Sequence, residues 1–139
     1  MPVRKAHAQW EGNLTDGKGI MKFGSFSGAY SFTSRFENGE GTNPEELIGA
    51  AHAGCFSMAL AHELAQQGYA PKRISTEAQV HLDKVGDGFS ITSIDLITEA
   101  DVTGIDMEAF LKLAEGTKNN CPVSMALKGI EIRLKATLK

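Results

Sequence analysis

The chain has 139 residues, of which 42% are hydrophobic and 22% charged. That size and balance suit one globular domain over residues 1–139 and exclude a disordered chain or a coiled coil. The formal net charge is -3, and no window clusters the positive charge that phosphate binding requires, so nucleic acid is not expected as a partner. No apolar leader with a cleavage site opens the chain, and the uncharged run from Leu47 to Ala61 is too short to span a bilayer comfortably. A cytoplasmic protein without a membrane partner is expected, its two cysteines reduced at rest.

Ala6 to Glu11 reads as a short strand, and the glycines at 17, 19, 24 and 28 punctuate two more short strands or loops. Tyr30, Phe32 and Phe36 alternate with Ser31, Thr33 and Arg35, which predicts a half-buried strand over 30–36. Asn43-Pro44-Glu45-Glu46 then supplies a helix N-cap, a proline at the first helical position and a glutamate three residues after the cap. The helix should run to about Gln67 and stop at Gly68. Its centre is apolar or small on every face, so the helix is expected to be buried all round, partly by a second subunit.

Arg73 to Val85 alternates as a strand, Gly86-Asp87-Gly88 marks a hairpin turn, and Phe89 to Glu99 returns. Asp106 caps a helix to about Lys118, Cys121-Pro122 begins a short helix ending near Lys128-Gly129, and Ile130 to Leu138 alternates as a closing strand. Strands in runs, broken by few helices, predict an α+β fold with a mainly antiparallel sheet packed on the long central helix.

Two thiols carry the chemistry candidates. Cys55, in the middle of the apolar helix, is either a small buried hydrophobe or a reactive thiol, and the second reading needs a nearby cation because an apolar site alone makes a thiol inert. Cys121 is either a plain capping residue or, by local context, the better nucleophile of the two, its sulfur facing free backbone N–H groups. Arg35 is either a solvated arginine or the cation that Cys55 requires. Glu45 either complements the helix dipole or orients Arg35. Ten residues of helix separate Glu45 from Cys55, a rise of about 15 Å. A bend near Gly49, a bridging Arg35 or a group from across a dimer interface would join them, and an interface site is preferred. His52 shares a helix face with Cys55, which hints at a metal stripe or a Cys/His hydrolase. His62, however, lies about 15 Å of rise beyond His52, so no metal site is expected. His7 and His81 fall on strands with no partner in view.

Several segments resemble one family together: Arg35-Phe36-Glu37, Gly41 through the Thr-Asn-Pro-Glu block to Leu60, Leu82-Asp83-Lys84-Val85, and Cys121-Pro122-Val123-Ser124. Their sum is similar to the osmotically inducible protein C branch of the organic hydroperoxide resistance family, and Ala8 to Gly12 resembles its N-terminal strand. Gly54 and Met125 depart from the family pattern, but neither replaces a reacting group. The resemblance implies an intertwined α+β homodimer with sites at its interface. It implies a thiol peroxidase that reduces organic hydroperoxides to alcohols without a bound cofactor or metal. Cys55 attacks the peroxide and Cys121 resolves the sulfenic acid to an intramolecular disulfide. Arg35 and Glu45 complete the site, and an external thiol, such as a lipoyl group on a protein, restores the dithiol. Physical reasoning sides with Cys55 as attacker, because pairing with Arg35 makes a thiolate tolerable in an apolar pocket. The competing expectation is a non-catalytic dimeric module that binds an apolar ligand beside Cys55.

Overall fold

A computed structural model describes residues 1–139. The chain divides into two compact units, Met1–Leu47 and Ile48–Lys139.

The first unit is an antiparallel meander of β1 (Ala6–Glu11), β2 (Lys18–Phe23) and β3 (Phe26–Tyr30). Gly19 pairs with Trp10 on one side and Tyr30 on the other. A Cβ at Gly19 would meet both rings at under 3 Å, and its absence lets them pack at 5.3 Å between centroids. The strand expected over 30–36 ends at Tyr30, and Phe32–Phe36 is a helical turn, α1. Two features turned the chain. Ser31 and Ser34 exchange side-chain and backbone hydrogen bonds in a reciprocal cap. Phe32 and Phe36, four apart, pack with tilted rings on one helical face at 4.9 Å, a spacing that also satisfies a period of two.

Helix α2 (Pro44–Gln66) starts in this unit. The Asn43 side chain accepts from the Glu46 N–H at 2.8 Å, the expected cap. The Glu46 carboxylate takes the Thr42 hydroxyl at 3.0 Å. At the other end the Tyr69 and Gly68 N–H groups bond the Leu64 and Ala65 carbonyls, a Schellman closure.

The second unit carries α2 onward against a sheet ordered β4 (Pro71–Val85), β5 (Gly88–Val102), β6 (Glu131–Leu138). The β4–β5 hairpin is antiparallel, whereas β6 lies parallel to β5. A parallel neighbour requires a crossover, and α3 (Met107–Asn120) with α4 (Pro122–Ala126) supplies it. The Asp106 side chain caps α3 as expected, accepting from the Ala109 N–H. The α+β class holds, with antiparallel pairing between all neighbouring strands except β5–β6 and one isolated parallel bridge, Tyr30 to Thr42.

Ile94, Leu96, Ala100 and Val102 of the central strand meet Phe56, Leu60 and Leu64 of α2 and Phe110 of α3 in the core, each large side chain stabilising by about 1.5–3 kcal/mol when fully buried. At Gly49 the helix comes so close to β4 that an added Cβ would stand 3.3 Å from the Val80 methyl. A polar chain, Ser57 to Thr76 to Thr98, ties α2 to β4 and β5. Within the chain α2 is buried on one face only: His52, Phe56, Leu60 and Leu64 face inward, whereas Ala50, Ala51, Gly54 and Met58 are exposed. The all-round burial expected from composition is therefore not achieved by the chain itself.

Candidate active site

Each predicted site residue belongs to a pair, and each pair lies within one unit. In the first unit, α1 presents Arg35 and the first turn of α2 presents Glu45. The guanidinium grips the carboxylate through Nη2 at 2.7 Å and Nε at 3.0 and 3.3 Å. Glu45 is buried and Arg35 is one-third exposed. A bidentate pair of this kind fixes the guanidinium plane. Arg35 also stands over the Phe36 ring at 5.5 Å and joins Trp10, Leu14, Tyr30 and Phe32 around a cavity of about 300 Å³. A cation with one bound face and an aromatic surround suits a ligand with an apolar body and an electron-rich tip.

In the second unit, Cys55 of α2 and Cys121, at the junction of α3 and α4, are both free thiols, and Cys55 packs against the core cluster that contains Cys121, near enough for the two thiols to influence each other. Burial pushes the Cys55 thiol above its ordinary pKa, and the Cys121 thiol adds to that push; the Val123 backbone N–H, which donates to the sulfur, pulls the other way. A Cys55 thiolate therefore needs a cation brought to it.

Cys121 is fully enclosed. Its N–H closes α3 on the Thr117 carbonyl at 2.9 Å, and its sulfur caps α4 by accepting from the Ser124 N–H at 3.4 Å. It also donates to Ser124 Oγ at 3.0 Å. Ser124 Oγ in turn meets His52 Nε2 at 2.7 Å. His52 is completely buried, and burial holds its imidazole below the ordinary value. A groove of about 630 Å³ between α2 and α3, walled by Ala59, Tyr69 and Leu113, reaches Cys121.

No three His, Cys, Asp or Glu side chains are placed to hold a metal ion, and no helix is long and apolar enough to cross a membrane. His62 is exposed beside Gln66, and His81 bonds Asp95 at 2.7 Å. The hydrogen-bond partner of His52 is Ser124 Oγ rather than Cys55. Ser124 lay unremarked in the Cys-Pro-Val-Ser motif; its position three residues after a capping cysteine was the available signal.

A family model described as OsmC-like protein matches residues 37–135. The chain is 49% identical to the peroxiredoxin OsmC of Escherichia coli (strain K12) over 98% of its own length and 96% of the relative's. It is similar to the solved structure of the organic hydroperoxide resistance protein OhrB of Bacillus subtilis, with TM-score 0.68, 28% identity, and coverage of 97% of this chain and 98% of that one. An OsmC-like protein of unknown function from Vibrio cholerae shares the fold at TM-score 0.78 and 17% identity, over 98% of this chain and 99% of that one.

Proposed function

Because the chain belongs to the OsmC-like family, we propose that it is a thiol-dependent peroxidase that reduces organic hydroperoxides to alcohols. The Cys55 sulfur attacks one peroxide oxygen, the O–O bond breaks, and the alcohol leaves with a proton. Cys55 is left as a sulfenic acid. Cys121 then attacks the Cys55 sulfur, water departs, and a Cys55–Cys121 disulfide remains. An external dithiol, such as a protein-borne lipoyl group, returns both thiols. Arg35 is the cation for the Cys55 thiolate and for the peroxide oxygen, and Glu45 orients it. The working form is a cytoplasmic homodimer in which residues 1–139 act as a single domain. No cofactor or metal takes part.

The observation that carries this reading is the proximity of two thiols distant in sequence, at one core cluster. The names of the relatives, a peroxiredoxin and an organic hydroperoxide resistance protein, support the reaction class. The aromatic surround of Arg35 supports an alkyl or aryl hydroperoxide over hydrogen peroxide. Thiol counting before and after one equivalent of cumene hydroperoxide tests it. Two thiols per chain are expected to disappear in the wild type and none in Cys55→Ser, while Cys121→Ser forms one trappable sulfenic acid. Loss of no thiols in the wild type would instead indicate a dimeric module that binds an apolar ligand without turnover. Turnover in Cys55→Ser would reverse the roles of the two sulfurs.

A further inference from the structure

We propose that Ser124 and His52 form a buried relay that takes the proton from the Cys121 thiol as its sulfur closes on Cys55. The inference rests on the peroxidase reading, and adds to it a route for the one proton that reading leaves unassigned.

Cys121 is 1% exposed and is met only at the edge of the groove between α2 and α3, so its thiol has a buried polar neighbour as a closer proton acceptor than bulk solvent. Its sulfur has a second hydrogen-bonded neighbour besides the Ser124 N–H, the Ser124 hydroxyl at 3.0 Å. With the thiol donating to Oγ, the single hydroxyl proton of Ser124 is free to point onward, and His52 Nε2 lies 2.7 Å away. The chain thus reads S–H to Oγ–H to Nε2, directed inward from the resolving sulfur. The imidazole ends it. Nδ1 is buried without a partner in its own chain, uncommon for a buried polar atom, so Ser124 Oγ is the hydrogen-bonded neighbour through which the ring is addressed. Here one face is left bare while the other is held to a hydroxyl that touches a reacting sulfur.

The ionisable group linked to His52 is the Cys121 thiol, through Ser124, while Cys55 stands three residues on along α2. Burial, not a charged side chain, sets its basicity, so the imidazole is neutral and able to accept near pH 7. In the step, a lone pair of the Cys121 sulfur forms the S–S bond and the Cys55 S–O bond breaks. The Cys121 sulfur is oxidised and the Cys55 sulfur reduced by one level each. The thiol proton moves to Ser124 Oγ as the hydroxyl proton moves to Nε2. The balance closes when Ser124 Oγ gives its proton to the hydroxide expelled from Cys55, which leaves as water, and the imidazolium proton at Nε2 returns to Oγ. Ser124 touches the reacting sulfur and is a catalytic residue; His52 acts through it and is a positioning residue.

The test separates the two chemical steps by rapid mixing of reduced protein with one equivalent of cumene hydroperoxide across pH. Sulfenic acid at Cys55 is read by trapping and disulfide closure by thiol loss. Ser124→Ala and His52→Gln are expected to form sulfenic acid at the wild-type rate but to close the disulfide on the order of 100-fold more slowly at pH 7. The wild-type closure rate should fall on acidification below pH 6.5, the ordinary histidine value, and His52→Gln should lose that limb. Ser124→Thr, which keeps the hydroxyl, should restore closure. Unchanged closure and an unchanged pH profile in both variants, with sulfenic acid intact, overturn the relay alone. No sulfenic acid in Cys121→Ser overturns the peroxidase reading, and the relay's role with it. Should the variants not fold, nitrogen-15 spectra of reduced wild-type protein decide: His52 protonated at Nδ1 supports the relay, and protonation at Nε2 overturns it.

Discussion

Glu45 holds a carboxylate almost out of water and spends it wholly on Arg35, which returns two bonds from Nε and one from Nη2. Removing the carboxylate leaves a guanidinium that water reaches from one side only. Glu45→Ala is therefore expected to lower stability by about 1–2 kcal/mol, the charged hydrogen bonds being partly replaced by solvent at the exposed side of Arg35. It should also slow sulfenic acid formation more than disulfide closure. Urea unfolding and single-turnover trapping check the two effects. Both residues were legible in the sequence as an acid and a base, and the Asn43 cap that orients the first turn of α2 was legible as well. The His52–Ser124 contact was not, because 72 residues separate the partners and nothing local marks a serine that finishes one helix turn as the neighbour of a histidine in another helix.

Among the elements, the outer face of the second sheet is stitched across its strands by Asp95 of β5. Its carboxylate takes Arg133 of β6 at 2.5 and 2.9 Å and His81 of β4 at 2.7 Å. These hydrogen bonds, Arg133 first and His81 second, hold the Asp95 carboxyl down at about 2. A depressed folded-state value contributes stability that is fully present above the unfolded value near 3.8 and is lost as pH falls through about 2. Asp95→Asn should thus lower the melting temperature slightly at pH 7, and the difference from wild type should vanish between pH 4 and 2, as followed by circular dichroism. The parallel placement of β6 that makes this cluster possible was not legible. Alternation in residues 130–138 specifies a strand with one inward face, whereas direction depends on the path of α3 and α4. The helical turn at Phe32–Phe36 was missed for a related reason: aromatics four apart satisfy both periodicities, and the deciding bonds of Ser31 and Ser34 carry no hydrophobic signal.

At the scale of the whole molecule, the small-residue stripe of Ala50, Ala51 and Gly54, ending at Met58, leaves one face of the longest helix open. Small residues permit close approach of another helix, and Met58, 78% exposed, is a large apolar group left mostly uncovered by its own chain. The proposed homodimer would cover this face. Met58→Glu is expected to shift the protein to a monomer, read by light scattering after gel filtration, with the Asp95 cluster undisturbed. Cys121, meanwhile, ends α3 and begins α4, so a bond to Cys55 fastens the long helix to the midpoint of the crossover that delivers β6. Such a crosslink, closing 66 positions of chain, restricts the unfolded state by about 4 kcal/mol. Spent molecules would therefore outlast fresh ones under heat, and the donor that renews them must work against the sturdier of the two forms.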